Sequence, residues 1–379
     1  MAKGKPHKRK SLFMGITSRV LMIIAAALLV LSYLSMFFNP SKAWFMTLLG
    51  IIFIPVWILN VFLLVWALFR RSSAVIIPLV ALIPTLFIVG RFYQFPKNAE
   101  KAAEGASPVE VEFLSYNVGR FHMASKKSKD LSTEACMDSV AAYILGENPD
   151  IVCLQEVQYP GAEAMKRDLS RRFPEYEPEY FVFTDDGGCY GNVTLSKTPA
   201  IHKGKIDFDG TANIAIYSDY ELHGKRFRVY NCHLQSYNIS VSRLAQELKK
   251  RISGDTSGGE VIKDTEKKMK SSILRRPGQV EAVLSDIGNS PYEAVVIGDF
   301  NDTPLSYTYF KLRKGRNDSF VQAGKGFGAT YVLARPFIRI DYILFPDEYH
   351  VSSHRAGHVF YSDHFPVSAT ISIENESKP

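Results

Sequence analysis

The sequence contains few cysteines, and none of them lies in the close pairs that hold zinc. Its four cysteines show no Cys-x-x-Cys spacing, which excludes the common structural zinc sites. Cys153 and Cys232 lie inside apolar, strand-like runs, where a thiol behaves as a small core residue. Whether a disulfide forms depends on the compartment, and the sequence alone does not pair these residues.

Acidic residues are absent from the first 93 residues. Residues 1–108 contain 12 Lys/Arg and 2 Asp/Glu, whereas the remaining residues contain 33 and 36. The formal net charge of +7 therefore comes from the N-terminal part. The remainder has no positive excess with which to bind a polyanion without specificity, which argues against a protein that coats DNA.

Long apolar runs occupy the region that lacks acids. They are Val20 to Phe38, Ala43 to Phe69 and Ala74 to Tyr93. Each is close to the 20 or so residues that a bilayer helix needs. We therefore predict a basic cytoplasmic tail at residues 1–19 and three transmembrane helices within residues 20–93, which bind the lipid bilayer. Without intramembrane acids these helices have no ion or proton relay, so anchoring is a simpler role than transport.

Charge placement predicts the orientation of these helices. The basic tail and Arg70-Arg71 should stay in the cytoplasm, because positive loops are retained on that side. Three crossings then deliver residue 94 onward to the extracytoplasmic side, as in an integral protein of the bacterial inner membrane. Residues 94–108 are rich in Lys, Ala, Glu, Gly and Pro and read as a linker.

Residues 109–379 show short apolar runs that alternate with helical patterns. Ser132 is a candidate cap for a helix over Thr133 to Glu147, and a helical pattern around Val261 to Ile287 should be broken near Pro277. The repeated short strands favour a sandwich over a doubly wound parallel sheet. We therefore predict an α+β catalytic domain in this region.

The stretch from Ala294 to Pro304 carries the first chemical signal. Its apolar residues predict a buried strand that reaches Gly298, where the backbone can turn tightly. Asp299 and Asn301 follow two residues apart, so an extended chain aims both the same way. A carboxylate beside a carboxamide suits a hydrolytic site, although a strand that ends in an Asp/Asn turn gives the same pattern.

Five further fragments accompany this stretch in a defined order. They are Ser115-Tyr116-Asn117-Val118, Leu154-Gln155-Glu156-Val157, Asn231-Cys232-His233-Leu234, Arg339-Ile340-Asp341-Tyr342 and Ser362-Asp363-His364-Phe365-Pro366-Val367. In this order and spacing, from about Val109 to Ile373, the chain resembles the endonuclease/exonuclease/phosphatase superfamily. The resemblance implies the DNase I-like fold, a two-sheet β-sandwich flanked by helices, here preceded by three transmembrane helices.

The resemblance also implies a metal site and its ion. Glu156 is the expected ligand of Mg²⁺ or Mn²⁺, supported by Asn117 and Asp363, since these ions prefer oxygen donors. A carboxylate that ends a buried strand is costly unless it is paired or bound to a cation. Several family nucleases carry an acid two positions after the first Asn. This chain has Gly119 there, which favours a one-metal site.

The remaining site residues have implied roles in catalysis or substrate binding. Asp299 would orient or deprotonate water, and Asn301 would contact the phosphate. Asp341 would fix the tautomer of His364, which acts as a base or an electrostatic partner. His233 would contact the phosphate or act as a general acid, although a lone His is more often structural. Asn192 is the implied substrate-binding residue. Arg339 lies near a candidate substrate-side loop at Phe327 to Pro336, where it is a candidate contact for an anionic group; the alternative is an ion pair on the surface.

These inferences lead to a membrane-anchored, metal-dependent phosphoric ester hydrolase that cleaves phosphodiester or phosphomonoester bonds. Anchoring favours a lipid or small-molecule phosphate ester as the substrate. One alternative is a membrane-bound nuclease that acts on extracytoplasmic DNA or RNA. Another is a membrane protein that only binds its ligand without catalysis. The sequence shows no evident protein partner.

Overall fold

The computed structural model describes residues 7–95, 109–122, 132–185, 188–237, 249, 253 and 259–373. The chain divides into two compact units. The N-terminal unit comprises Met1–Val89 with Leu305–Tyr307, and the C-terminal unit comprises Gly90–Pro304 and Thr308–Pro379. Most of the predicted linker, residues 96–108, lies outside the described residues.

The described secondary structure of the N-terminal unit consists of helices joined by short turns. Its helices are α1 (His7–Leu34), α2 (Trp44–Ile51), α3 (Phe53–Phe69), α4 (Ile76–Leu82) and α5 (Thr85–Ile88). Two segments, Ile16–Phe37 and Ser73–Arg91, are long and apolar enough to cross a membrane. The middle predicted span is instead the pair α2 and α3, bent by 56°. Two candidate spans are therefore found, and the count reaches three only if the bent pair is one span.

A few polar side chains tie these apolar helices together. Asn60 Nδ2 donates to the carbonyl oxygens of Ala25 and Val56 at 2.9 Å each. Tyr33 and Thr85 share a hydrogen bond of 2.6 Å, and Trp57 Nε1 donates to the same threonine oxygen at 3.1 Å. In an apolar environment such bonds satisfy groups that lipid cannot, so they fix which helices pair.

The C-terminal unit contains two six-stranded mixed sheets. Its strands are β1 (Tyr93–Gln94), β2 (Val109–Asn117), β3 (Ile151–Tyr159), β4 (Glu177–Asp185), β5 (Gly188–Ser196), β6 (His202–Asp207), β7 (Ile214–Leu222), β8 (Lys225–His233), β9 (Glu293–Asp299), β10 (Arg316–Asp318), β11 (Gly326–Phe327), β12 (Asp341–Pro346), β13 (His350–Ala356) and β14 (Val367–Ile373). One sheet has the order β10-β12-β9-β8-β7-β6 and the other β13-β14-β2-β3-β5-β4. The short strands β1 and β11 pair separately. This architecture agrees with the predicted two-sheet sandwich.

Alternation along the strands builds a layered core. In β9, Val295 and Ile297 pack between the two sheets, whereas Ala294 and Val296 face the opposite side. The α-helices described in this unit are α6 (Thr133–Glu147), α7 (Ala162–Arg172), α8 (Gly259–Asn289), α9 (Tyr307–Leu312, which begins in the N-terminal unit) and α10 (Ser319–Ala323). Helices α6 and α7 cover one sheet and α8 the other, so the central strands are buried on both faces.

Two helices test the local sequence signals. Helix α6 has the predicted bounds, and Ser132 Oγ accepts from the amide of Ala135 at 3.2 Å as its N-cap. The predicted break near Pro277 is wrong, because α8 runs continuously through that residue. Val280 and Val283 are fully buried beside it, so tertiary packing outweighs the roughly 3 kcal/mol that an interior proline costs.

Strand direction places the polar residues of both sheets at one edge. Each sheet contains a central parallel pair, β2 with β3 and β8 with β9. Strand β2 ends at Asn117, while His233 and Asp299 are paired partners at the ends of β8 and β9. Strand β12 begins at Asp341, directly opposite Asp299. The carboxyl ends of the parallel strands therefore assemble a common polar site.

Candidate active site

Asp299 is a buried carboxylate at the end of β9. Its Oδ2 accepts from Asn117 Nδ2 at 2.9 Å and from Asn301 Nδ2 at 3.0 Å, and its Oδ1 accepts from the Asn301 amide at 2.8 Å. Burial raises the pKa of Asp299 to about 7, although the charge of His364 and these hydrogen bonds oppose the rise. The carboxylate is held in one orientation by donors from both sheets.

The backbone around Asp299 requires unusual conformations. Gly298 has a φ of +133°, and a Cβ at this position would collide with the carbonyl oxygen of Cys232. Asn301 is left-handed with a φ of 53°, which asparagine tolerates better than most residues. Asn301 Nδ2 donates to Leu234 O at 2.9 Å as well as to Asp299, so both of its hydrogens are used within the protein.

Asp341 and His364 form a second buried pair beside Asp299. His364 Nδ1 lies 3.0 Å and 3.2 Å from the two carboxylate oxygens of Asp341. Its Nε2 lies 3.8 Å from Asp299 Oδ2. Burial alone lowers the pKa of His364, but the charges of Asp341 and Asp299 outweigh this effect and raise that pKa well above its usual value. The imidazole is therefore held as a cation between two aspartates.

Glu156 reaches the site through an irregularity in β3. The pairing register with β5 shifts between Leu154 and Val157, and Glu156 in this bulge has a φ of 54°. Bulges re-aim side chains, and here the carboxylate is 23% exposed. Its Oε1 lies 3.3 Å from Asn117 Nδ2 and 3.6 Å from His233 Nε2.

His233 is almost completely buried at the end of β8. Its Nε2 lies 4.0 Å from Asp299 Oδ2 and has no hydrogen-bond partner among the described residues. Burial lowers the pKa of His233, although the charge of Glu156 partly offsets this. A neutral imidazole with an unsatisfied nitrogen therefore faces the two carboxylates.

Gly119 explains how Asp363 enters the site. A Cβ at Gly119, whose φ is +54°, would lie 2.9 Å from Ser362 Oγ and 3.2 Å from Asp363 Oδ1. The amide of Gly119 donates to Asn117 Oδ1 at 3.0 Å. The side chains of Ser362 and Asp363 thus occupy the space that a larger residue at this position would need.

Two of the predicted site residues are bound elsewhere in the protein. Asn192 is fully buried, and its Nδ2 donates to Ile214 O at 3.1 Å and Asn231 O at 3.0 Å. The Arg339 guanidinium is buried too, with NH2 lying 2.8 Å from Asp318 Oδ2. Both side chains are buried and donate to internal polar groups, although Asn192 Oδ1 and Arg339 Nε have no partner among the described residues.

Sequence reasoning missed a polar seam between the sheets. Gln155 Nε2 donates to Asn231 Oδ1 at 2.8 Å, and Asn231 Nδ2 donates to Leu154 O at 3.2 Å and Val193 O at 3.0 Å. These amides join the two sheets directly beneath the site residues that follow them. The available signal was an amide inside each buried strand, next to Glu156 and His233.

An exposed cation also lies at the site. Arg120 Nε lies 3.7 Å from Glu156 Oε2, and its side chain is 54% exposed. The guanidinium sits over the Tyr190 ring, 4.9 Å from the ring centroid. Because it is the solvent-exposed positive charge beside Glu156, it can also meet an anionic ligand.

The donor set fits a hard divalent cation. Four carboxylates share this edge, namely those of Glu156, Asp299, Asp341 and Asp363. By distance alone Asp299, Asp341 and His364 could hold an ion, since their ligand atoms lie within 4.8 Å of one another. However, His364 Nδ1 already bonds to both carboxylate oxygens of Asp341, so these ligand atoms are engaged with each other. Partly exposed Glu156, with only long contacts to its donors, is the better ligand for Mg²⁺ or Mn²⁺.

Comparison with known proteins places the fold and the site in context. The model of the endonuclease/exonuclease/phosphatase family matches residues 114–364, and a domain of unknown function matches residues 11–92. No curated protein sequence matches the chain. The family match spans the fragments from Ser115-Tyr116-Asn117 to His364.

Solved structures share the architecture at low sequence identity. The endonuclease/exonuclease/phosphatase from Bacteroides vulgatus is 22% identical, with a TM-score of 0.50 over 70% of this chain and 100% of that chain. A functionally unknown conserved protein from Enterococcus faecalis is 19% identical, with a TM-score of 0.50 over 69% and 100%. The human Nocturnin catalytic domain with bound sulfate is 16% identical, with a TM-score of 0.51 over 72% and 97%. At these identities the structures establish the fold alone.

Proposed function

Because the chain belongs to the endonuclease/exonuclease/phosphatase family, we propose that it is a membrane-anchored hydrolase of phosphate esters that depends on a divalent metal ion. Members of this family are generally hydrolases of phosphoester bonds. The observation that carries the proposal is the meeting of Glu156 and His233 with the Asp299–His364–Asp341 chain at one edge of both sheets. A protein that only binds a ligand has no need for an imidazole clamped between two carboxylates.

The residues divide the work of hydrolysis by their geometry. Asp299, fixed by Asn117 and Asn301, orients the attacking water and accepts its proton. His364 has Nδ1 bound to Asp341, so its Nε2 is directed to the reacting group and stabilises charge on a phosphoryl oxygen. In this proposal Asn301 acts chiefly through Asp299, since its amide hydrogens are already used.

His233 supplies the second imidazole. Its Nε2 has no partner among the described residues and lies between Glu156 and Asp299. We assign it to the phosphate or to the leaving oxygen, either of which would satisfy this nitrogen. The unpaired nitrogen supports this role over a structural one, because the ring nitrogens of a buried structural histidine are normally hydrogen-bonded.

Glu156, with Asn117 and Asp363 beside it, would hold the metal ion. When bound there, Mg²⁺ or Mn²⁺ would neutralise charge on the phosphoryl oxygens. Gly119 carries no carboxylate at the position where several family nucleases have an acid, which supports one ion rather than two. Arg120 contributes a positive charge at the exposed margin of Glu156.

The proposed location follows from the N-terminal unit. If the bent pair of helices is one span, three crossings place the C-terminal unit on the extracytoplasmic side of a bacterial inner membrane. The basic tail and Arg70-Arg71 then lie in the cytoplasm. Protease added to spheroplasts, whose outer membrane is opened, should cleave the C-terminal unit under this topology, and full protection of that unit would reverse the orientation.

A lipid or other small phosphate ester is the proposed substrate class, since anchoring confines the site to the bilayer surface. The test uses the full-length protein in nanodiscs with phospholipid, inositol phosphate, DNA and RNA substrates, each with and without EDTA. His364→Ala should abolish turnover, while His350→Ala, a control at an exposed residue of β13, should retain it. EDTA-sensitive cleavage of nucleic acid alone would establish the nuclease alternative, and unchanged turnover in His364→Ala would refute the assigned site.

A further inference from the structure

Four large apolar side chains of the C-terminal unit are exposed on or next to the segment from Phe327 to Phe337; three of them are joined by ring contacts, and the fourth, Leu333, lies within the segment. They are Phe95 (69% exposed), Phe327 (49%), Leu333 (54%) and Phe337 (41%). The Tyr93 ring lies 5.0 Å from the ring centroids of both Phe95 and Phe327, and the Phe327 ring lies 5.9 Å from that of Phe337. We call these five residues the aromatic patch. Clustered exposed apolar groups of this kind mark an interaction surface.

The chain itself connects this patch to the membrane. The second candidate span ends at Arg91, and Tyr93 follows two residues later in β1. Two residues extend at most about 7 Å, which is the depth of one headgroup layer, roughly 5–8 Å. Strand β1 pairs with β11 in the register Tyr93 to Phe327, so the patch continues from the end of the span into the catalytic unit.

The charges around the patch favour a bilayer surface. From Gly324 to Ile340 the sequence contains no acidic residue. Lys325 and Arg335 in this segment are exposed, and the Arg335 guanidinium lies 4.9 Å from the Phe365 ring centroid. Exposed aromatic residues flanked by cations are the composition that binds anionic lipid headgroups. A soluble protein partner would have no reason to follow the end of a membrane span.

The opposite side of the same segment touches the catalytic residues. Thr330 Oγ1 accepts from the Asp341 amide at 3.1 Å, and the Val332 amide donates to Asp363 O at 2.8 Å. The Tyr331 ring lies 5.4 Å from the His364 ring at an edge-to-face angle of 68°. One segment therefore carries three residues of the aromatic patch on its outside and contacts site residues on its inside.

We propose that the aromatic patch is a docking surface for an anionic lipid bilayer, which brings the site against the headgroups and selects phosphate esters that reside in the membrane. The surface itself stands on the exposure, continuity and charge described above. The substrate selection rests on the proposed function.

The buried cysteines permit a direct test of the surface. All four native cysteines are buried, so Leu333→Cys provides a single exposed thiol for an environment-sensitive fluorophore. Full-length protein is reconstituted in vesicles of phosphatidylcholine with 30 mol% phosphatidylglycerol and quenched with lipids spin-labelled near the headgroup. We expect strong quenching at residue 333 and at least threefold weaker quenching at a matched apolar control, Ile201→Cys, which is 51% exposed outside the patch.

The outcomes separate the possible occupants of the patch. Equal quenching at both positions, or none at residue 333, would overturn the proposal. A blue-shifted fluorophore without lipid quenching would assign the patch to a second copy or another protein, which also overturns it. Removing the phosphatidylglycerol, or combining Lys325→Glu with Arg335→Glu, should reduce the quenching at least twofold, and no change would contradict the anionic-lipid assignment.

Catalysis provides a separate readout. The double variant Phe327→Ser with Phe337→Ser should lower turnover of a vesicle-borne ester about tenfold and leave turnover of a short-chain, water-soluble ester unchanged. Equal losses on both substrates would refute the selection of membrane esters. If the unmodified protein hydrolyses neither substrate, the proposed function fails, while the quenching experiment still decides whether the patch binds lipid.

Discussion

A buried ion pair next to the site gives the most quantitative prediction. Arg276 NH1 lies 2.7 Å from Asp302 Oδ2, and both side chains are at most 3% exposed. Arg276 Nε also donates to Gln235 O at 3.0 Å, and its NH1 donates to the Tyr237 hydroxyl at 3.0 Å. Asp302 follows Asn301 directly, so this pair supports the turn that carries the site.

The substitution Arg276→Met keeps much of the side-chain volume but leaves Asp302 buried without its cation. Removing one partner of a buried ion pair costs about 3–5 kcal/mol. For a unit of this size each kcal/mol moves the thermal midpoint by about 2–4 °C, so we expect a decrease on the order of 10 °C. Turnover should fall as well, because the turn after Asp299 loses its support.

The two units of the chain can be followed separately in this experiment. All four cysteines are buried in the C-terminal unit, so a fluorogenic thiol reagent reports its unfolding. The three tryptophans, Trp44, Trp57 and Trp66, belong to the N-terminal unit, and their fluorescence reports that unit alone. Arg276→Met should shift the thiol transition and leave the tryptophan transition in place.

Arg275→Met is the matched control for this substitution. Arg275 is the preceding residue of the same helix, and it is exposed, with NH1 donating to Gly210 O at 2.6 Å. Its loss should move the thiol transition by no more than about 2 °C, as expected for an exposed contact. Equal shifts in the two variants would refute the reasoning. Adding Asp302→Asn to Arg276→Met should recover part of the loss, since no charge then remains unpaired.

Three other outcomes test separate features. Asp341→Asn should lower kcat about 10²–10⁴-fold, because His364 loses the charge that holds it as a cation; an unchanged kcat would contradict this role. Gly298→Ala should destabilise the C-terminal unit strongly, whereas Gly288→Ala, with open space around its Cβ, should stabilise it by up to about 1 kcal/mol; thiol melting distinguishes the two. Burial raises the pKa of Asp318, but its buried partner Arg339 outweighs this and holds that pKa below its usual value. The free energy of unfolding should therefore decrease below about pH 4 as Asp318 is protonated, and Asp318→Asn should weaken this pH dependence.

Local signals predicted those elements that local physics determines. Helix α6 begins after Ser132 and ends before Pro149, and both signals act on neighbouring backbone groups. The apolar runs near the N-terminus likewise mark helices, since few other structures suit such a composition. The two-sheet sandwich followed from the order of the family motifs rather than from any single strand.

The remaining features depend on contacts between distant residues. Pro277 should end a helix by local rules, but the buried face of α8 holds the helix together on both sides of it. Arg339 is a predicted substrate contact because it lies near the segment from Phe327 to Pro336, yet Asp318 binds it in the interior. The bend between α2 and α3, by contrast, has a local cause: Pro55 in the first turn of α3 has no amide hydrogen to bond to the carbonyl of Ile51, where α2 ends.

The amide seam between the sheets has a consequence for how such a site can change. Apolar layers alone would let two sheets slide against each other, whereas the bonds of Gln155 and Asn231 fit only one alignment. Glu156 directly follows Gln155, and His233 lies two residues after Asn231, so this alignment also sets the positions of both site residues. New substrate specificities, whether engineered or evolved, should therefore arise from changes in the loops around the site. The catalytic residues and the amides of Gln155 and Asn231 should stay unchanged.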